Sequence, residues 1–313
     1  MAVYLVTGGA GFIGSHIVRR LVAQGERVRV IDNFLTGSLG NLEGVLDSVE
    51  LVEGDIRDVS LVRGAMRGVR YCLHQAALPS VPRSVEDPLT SHDINVNGTL
   101  NILLAAKDAG VERFVYASSS SVYGNLPVLP KREDMPTRPL SPYAIQKLAG
   151  ELYAGAFSSL YGLPTVSLRY FNVFGPRQDP QSPYAAVIPL FIAAMNDSLP
   201  ATVHGDGEQS RDFCFIDNVV SANLLSCTAP VGNVAGKVFN IACGKRYSIN
   251  DLVQTLNEAL GKQIEAIHIA SRNGDVRDSL ADISLARRDL GYEPNVEFAE
   301  GIKQTVEWYQ KTV

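Results

Sequence analysis

The chain has 313 residues, 46% apolar and 19% charged, enough for a core and too few charges for a disordered chain. Its 28 basic and 33 acidic residues leave a net charge of −5, without the Lys/Arg run of a nucleic-acid or membrane-surface binder. No apolar stretch approaches the ~20 residues of a membrane span, and the start, Ala2-Val3-Tyr4-Leu5-Val6, has no basic leader, so a cytoplasmic location is expected.

Short apolar runs alternate with helical patterns over the first 170 residues. Strands are expected at Val3–Thr7, Val28–Ile31, Val49–Val52, Tyr71–His74, Phe114–Ala117 and Val166–Tyr170. Their β-branched and aromatic content, without polar-out alternation, suits strands covered on both faces. Helical spacing falls at Ile13–Ala23, Leu61–Met66, Asn97–Ala109 and Tyr143–Tyr161. Repeated βα units predict an α/β fold: a Rossmann-type, doubly wound parallel sheet with right-handed crossovers. Beyond Asn172, Pro176, Pro180, Pro183 and Pro189 end the alternation and predict an exposed, shaped segment. Shorter helices are expected at Asp217–Cys227, Ile249–Leu260 and Ala299–Tyr309. At about 150 residues per domain the length suggests two domains. We place a dinucleotide-binding domain at 1–171, with 212–242 crossing back to it, and a smaller mixed α/β substrate domain at 172–313.

Cys72, Cys214, Cys227 and Cys243 lack paired spacing and read as reduced thiols, and none of the five histidines has a metal-ligand partner. No metal is expected. The first strand runs into Thr7-Gly8-Gly9-Ala10-Gly11-Phe12-Ile13-Gly14. Gly8, Gly11 and Gly14 let the backbone turn sharply and approach a pyrophosphate at a helix N-terminus, where free N–H groups and the dipole favour anions. Asp32 ends the second strand, where a carboxylate meets a ribose 2′-hydroxyl. Its charge repels a 2′-phosphate and Asn33 supplies no cation, so NAD is expected over NADP. Asp55 is placed for the adenine edge or, equally, for a helix N-cap, a role for which Asp58 competes.

Tyr143 and Lys147 lie four apart in a helical pattern and share a face. Ser141 and Pro142 read as N-cap and first helical residue. A tyrosine of ordinary pKa about 10 needs roughly 4 kcal/mol of anion stabilisation to act as a base at neutrality. Lys147, the helix N-terminus and a positively charged nicotinamide are expected to supply it. Ser118-Ser119-Ser120-Ser121 follows the fifth strand, at the sheet edge where ligands sit, and a hydroxyl there can share the substrate proton.

With these motifs, Arg169-Tyr170-Phe171-Asn172, Ser210-Arg211-Asp212-Phe213 and Arg272-x-Gly274-Asp275, the whole chain resembles the extended short-chain dehydrogenase/reductase family in its nucleotide-sugar branch. Ser80-Val81-Pro82-Arg83-Ser84, the run from Asn172 to Pro180, and Tyr184 to Pro189 are most similar to bacterial UDP-N-acetylglucosamine 4-epimerases. The resemblance implies that Tyr143 takes the sugar 4-hydroxyl proton, that Ser119 assists (with Ser120 able to substitute), and that Lys147 holds the nicotinamide ribose. It adds Phe12, Ile13, Asn33, Ile56, Ala76, Ala77, Asn95 and Tyr170 to the cofactor site. Asn172, Arg211 and Arg272 would hold a diphosphate, for which rigid guanidinium forks are suited. Val187 would line a uridine pocket, Ser80 would touch substrate, and the helices around 97–109 and 143–161 would pair two copies into a homodimer.

Related 4,6-dehydratases and decarboxylases are expected to carry an acid in the serine stretch, for proton chemistry at C5. Here Ser118–Ser121 leads into Val122-Tyr123-Gly124 without Asp or Glu. A 4-keto sugar with no such acid returns the hydride, and return on the opposite ring face inverts C4. Ser279 stands where galactose-only relatives carry an aromatic, which leaves room for a 2-N-acetyl group. Asn172 argues against a glucuronate epimerase. The expectation is therefore an NAD-dependent UDP-hexose 4-epimerase accepting N-acetylated and plain sugars. The rivals are a dehydratase, decarboxylase or glucuronate epimerase of the same fold, or a non-catalytic NAD-sensing module. The sequons at Asn97 and Asn196 read as chance, His74 as a hydrogen-bonded core residue, and Phe298, Trp308 and Tyr309 as packing.

Overall fold

A computed structural model describes residues 3–181, 185–271 and 277–312. The chain opens with β1 (Val3–Thr7), α1 (Phe12–Ala23), β2 (Arg27–Asp32), β3 (Val49–Glu53), α2 (Val59–Ala65) and β4 (Tyr71–His74). Next come α3 (Val81–Glu86), α4 (Pro88–His92), a π-helical turn (Asp93–Gly98), α5 (Thr99–Asp108), β5 (Arg113–Ser119), α6 (Pro142–Tyr161) and β6 (Thr165–Tyr170). They are followed by β7 (Val173–Phe174), α7 (Val187–Asn196), β8 (Thr202–His204), β9 (Ser210–Arg211), β10 (Cys214–Phe215), α8 (Ile216–Thr228), α9 (Val231–Val234) and β11 (Lys237–Ile241). Last are β12 (Tyr247–Ser248), α10 (Ile249–Leu260), β13 (Ile267–Ile269), α11 (Ser284–Leu290) and α12 (Phe298–Thr312).

Seven parallel strands form the central sheet, in the order β11-β6-β5-β4-β1-β2-β3. Every residue of β4 and β6 is buried, as strands packed by helices on both faces require. The six strands read from the sequence are all in this sheet. A seventh, β11, joins at the edge, with Val238 opposite Ser167, and α8 packs against α1. The stretch after β10 therefore returns to the sheet built by the first half of the chain.

Local signals account for most boundaries. Ser141 caps α6, its Oγ accepting from Ala144 N at 3.2 Å, Pro142 fills the first helical position, and Gly162 stops the helix at φ 69°. α10 has a capping box, Ser248 with Asp251. Two expectations are corrected. The expected strand Phe114–Ala117 runs on through Ser119, so Ser118 and Ser119 belong to β5, and Ser120 and Ser121 open a 3₁₀ turn over Ser120–Tyr123. Pro189 is buried in the first turn of α7, where its missing N–H has no intrahelical partner to lose, so the proline-rich segment is not exposed throughout.

Asp212, between β9 and β10, is fully buried and ties separate segments together. Its carboxylate accepts from Cys243 N at 2.9 Å, Gly244 N at 3.1 Å and Ala281 N at 3.1 Å. Asp212→Ala would leave three N–H groups without their partner, the Ala281 one buried, and each unsatisfied buried donor costs about 1–3 kcal/mol. We expect a loss of about 3 kcal/mol in urea unfolding. A midpoint unchanged from the parent would show that this carboxylate does not staple the fold.

Candidate active site

A cleft lies across the carboxyl ends of the sheet strands. Gly8, Gly11, Phe12, Ile13 and Gly14 line it where β1 meets α1. Toward β2 and β3 it is lined by Asp32, Asn33, Asp55 and Ile56, and toward β4, β5 and β6 by Ala76, Ala77, Tyr143, Lys147 and Tyr170.

The glycine loop has no room for side chains. A Cβ on Gly14 would lie 2.0 Å from the Gly8 carbonyl oxygen, and one on Gly8 2.7 Å from Ala76 N. Gly11, the α1 N-cap, supplies no side-chain cap, so the first N–H groups of α1 are left for a ligand. Asp32 is held by Ala10 N at 2.9 Å and Phe34 N at 2.8 Å, one donor on each oxygen. A carboxylate accepts about four hydrogen bonds, so it keeps capacity for a pair of ribose hydroxyls. Burial pushes its pKa up, against those backbone bonds. Asp55 takes hydrogen bonds from Arg57 and from Asn33 Nδ2 at 2.8 Å, and Arg57 holds its pKa down. Asp58, not Asp55, caps α2, accepting from Ser60 N and Leu61 N. This end of the cleft is built for a dinucleotide.

Three residues of α6, each four apart, meet three consecutive residues of β5. The Ser119 hydroxyl faces the Tyr143 phenol and favours its anion. Lys147 Nζ donates to Ala117 O at 2.8 Å, and Glu151 accepts from Ser118 Oγ. Tyr143 N donates to Ser84 Oγ at 3.0 Å, so α3 also fixes the start of this helix. The electrostatics differ from expectation. Burial lifts the Tyr143 pKa to about 12 despite Ser119, and burial lowers Lys147 to about 8 although Glu151 opposes it. The chain's own groups do not depress the phenol, because desolvation exceeds what the Ser119 hydroxyl returns; the Lys147 ammonium stands 5.9 Å from the ring centroid.

Two further cavities adjoin. Val187 lines one with Phe174, Phe191 and Phe213. Ser120, Ser121, Phe171 and Ser279 line the other. Asn172 and Arg211 line both, and so stand at their junction. Arg211 Nη1 donates to Ser210 O at 2.9 Å and Arg277 O at 3.1 Å. Among the described residues, Asp278 is the carboxylate lining the second of these, a residue the sequence reading did not anticipate. Its Oδ1 accepts from Ser210 Oγ, beside Arg211.

Two expected site residues have structural partners. Asn95 is 1% exposed, with its amide spent on Leu78 N, Leu78 O and Gln146, so it anchors the loop after β4 rather than lining the cleft. Ser80 caps α3 through Arg83 N at 3.3 Å and lines none of these three cavities. Arg272, with Gly274 and Asp275, lies outside the described residues. His74 is a core residue, bonded to Thr7 and Thr99. The sequence reading missed Gln75 and Asn223, which hold the Tyr170 hydroxyl, and Glu151, which helical spacing from Lys147 would have found. No helix among the described residues is long and apolar enough to cross a membrane, and they contain no cluster of metal-binding side chains.

The model of the NAD dependent epimerase/dehydratase family matches residues 4–242. A UDP-glucose 4-epimerase of Mycolicibacterium smegmatis is 40% identical over 311 residues, 98% of each chain. The UDP-N-acetylglucosamine 4-epimerase of Methanobrevibacter ruminantium, solved with UDP-N-acetylmuramic acid, superposes with TM-score 0.95 at 39% identity, covering 100% of this chain and 99% of that one. The Thermus thermophilus UDP-glucose 4-epimerase, solved with NAD, gives TM-score 0.89 at 37% identity, covering 99% of this chain and 100% of that one. The chain belongs to the NAD dependent epimerase/dehydratase family, in its sugar-nucleotide 4-epimerase branch, and is an enzyme whose cofactor is NAD.

Proposed function

We propose that this enzyme interconverts UDP-N-acetylglucosamine and UDP-N-acetylgalactosamine, and also UDP-glucose and UDP-galactose. The single observation that carries the reading is the meeting of Ser119, Tyr143 and Lys147 at the edge of the dinucleotide cleft, beside cavities lined by Asn172, Arg211 and Ser279. When bound, NAD supplies a hydride acceptor and donor for sugar C4 and a positive charge near the phenol. Gly8, Gly11, Gly14 and the α1 N-terminus would hold its pyrophosphate, with Phe12 and Ile13 alongside. Asp32 would take its adenosine ribose, and Asn33, Asp55 and Ile56 the adenine side. Ala76, Ala77 and Tyr170 would border the nicotinamide side, and Lys147 would hold the ribose there.

Tyr143 would accept the 4-hydroxyl proton and later return it, with Ser119 sharing the hydrogen bond and Ser120 beside it. Asn172, Arg211 and Arg272 would grip the diphosphate while Val187 lines the uridine side. This leaves the sugar free to present its other face between hydride removal and return. The carboxylate lining the sugar cavity, Asp278, is hydrogen-bonded by Ser210 at the Arg211 end, away from the serine stretch, which favours return over elimination. Ser279 keeps space for an acetamido group. We further propose two domains, 1–171 with 212–242 returning to it, and 172–313. We place the enzyme in the cytoplasm, and exposed apolar side chains on α5 and α6, Leu104, Ile145, Leu152 and Leu160, support a homodimer.

Tyr143→Phe is expected to lower epimerisation by roughly 10²–10⁴-fold with unchanged circular dichroism, the range for losing a general base. Turnover equal to the parent would remove Tyr143 from the chemistry. Ser279→Tyr should cut kcat/KM for UDP-N-acetylglucosamine by about 10–100-fold while sparing UDP-glucose. Equal losses on both substrates would show that position 279 does not read the 2-substituent.

A further inference from the structure

Behind the reacting face of α6 lies a buried ion pair that the chemistry above does not use. The Glu151 and Arg169 side chains are 3% and 5% exposed. Arg169 Nε donates to Glu151 Oε1 at 2.9 Å and its Nη2 to Oε2 at 2.8 Å. The guanidinium lies over the Tyr123 ring, 4.6 Å from its centroid, and its Nη1 is buried without a partner. Burying two charges costs several kcal/mol of desolvation, and an apolar pair of similar volume is often as stable or more so. Fold stability alone is therefore a weak reason for this pair.

Its position supplies a better one. Tyr143, Lys147 and Glu151 occupy successive steps of one α6 face; Tyr143 faces Ser119, while Lys147 and Glu151 are hydrogen-bonded to Ala117 and Ser118. The charged and titratable groups facing Lys147 are His74 on β4, Tyr116 on β5, and Tyr143 and Glu151 on its own helix, with Arg169 of β6 behind Glu151. Within that set, Glu151 is the carboxylate. We propose that Glu151 is a positioning residue. It registers α6 on the β5 end through Ser118 and supplies the negative charge that balances the Lys147 ammonium, while Arg169 sets how much of that charge the lysine feels. The proposal rests on the reading of Lys147 as a working residue of the active site.

The test compares kcat–pH profiles of the NAD-loaded enzyme with direct titration of ¹³Cε-labelled lysine by NMR, Lys147 being assigned by its loss in Lys147→Met. Glu151→Gln keeps the volume and removes the charge, so Lys147 should deprotonate about one pH unit lower, with the alkaline limb of kcat moving the same way. Glu151→Asp, which keeps the charge, should leave the limb in place even where kcat falls. Arg169→Met should move both readouts toward higher pH, because the Glu151 charge is then unopposed. This opposite shift keeps the test decisive if the Gln variant fails to fold. A uniform drop in kcat, with limb and lysine titration unmoved while Lys147→Met is inactive, would overturn the Glu151 proposal alone. Full turnover in Lys147→Met would overturn the catalytic reading, and this proposal with it.

Discussion

The packing of α6 against the carboxyl end of β5 is the constraint on which the site depends. One helix face and one strand end are joined at three successive residues, and the joint places a phenol, an ammonium and a hydroxyl around one point of the cleft. Everything around it keeps that joint in register. Ser84 on α3 holds the backbone of Tyr143, and Asn95 and Gln146 tie the loop after β4 to α6. The glycine loop brings the dinucleotide end of the cleft to the same edge of the sheet, because parallel strands all finish on one side.

That joint sits in a protein interior, which shapes its chemistry. Desolvation raises the phenol to about 12 and lowers the lysine to about 8, so both groups are biased toward their neutral forms. In the resting chain the tyrosine is a poor base. Under the proposed function, a bound nicotinamide would supply the positive charge that favours the Tyr143 phenolate. The buried carboxylate behind the helix is committed to Arg169.

Much of this was legible in the sequence for physical reasons. β-Branched runs marked six of the seven sheet strands, Ser141-Pro142 marked the start of α6, and i, i+4 spacing put Tyr143 and Lys147 on one face. The glycine loop and Asp32 were readable because steric room and charge at those points admit few residue types. β11 escaped because an edge strand reached through a long excursion carries no signal of its partner. α7 escaped because Pro189 read as a breaker, although a first-turn proline is tolerated, and α3 and α4 are too short to show a helical period. Asn95 and Ser80 were given to ligands although one anchors a loop and the other caps a helix. Side-chain direction, which decides such cases, is a tertiary property.

Under the proposed function, the hydride leaving C4 comes back to C4. Incubating the enzyme with UDP-N-acetylglucosamine deuterated at C4 tests this. The expected product is UDP-N-acetylgalactosamine that retains deuterium at C4, with no loss of water or carbon dioxide. Deuterium recovered at another carbon or in solvent, or a product lighter by water, would contradict it.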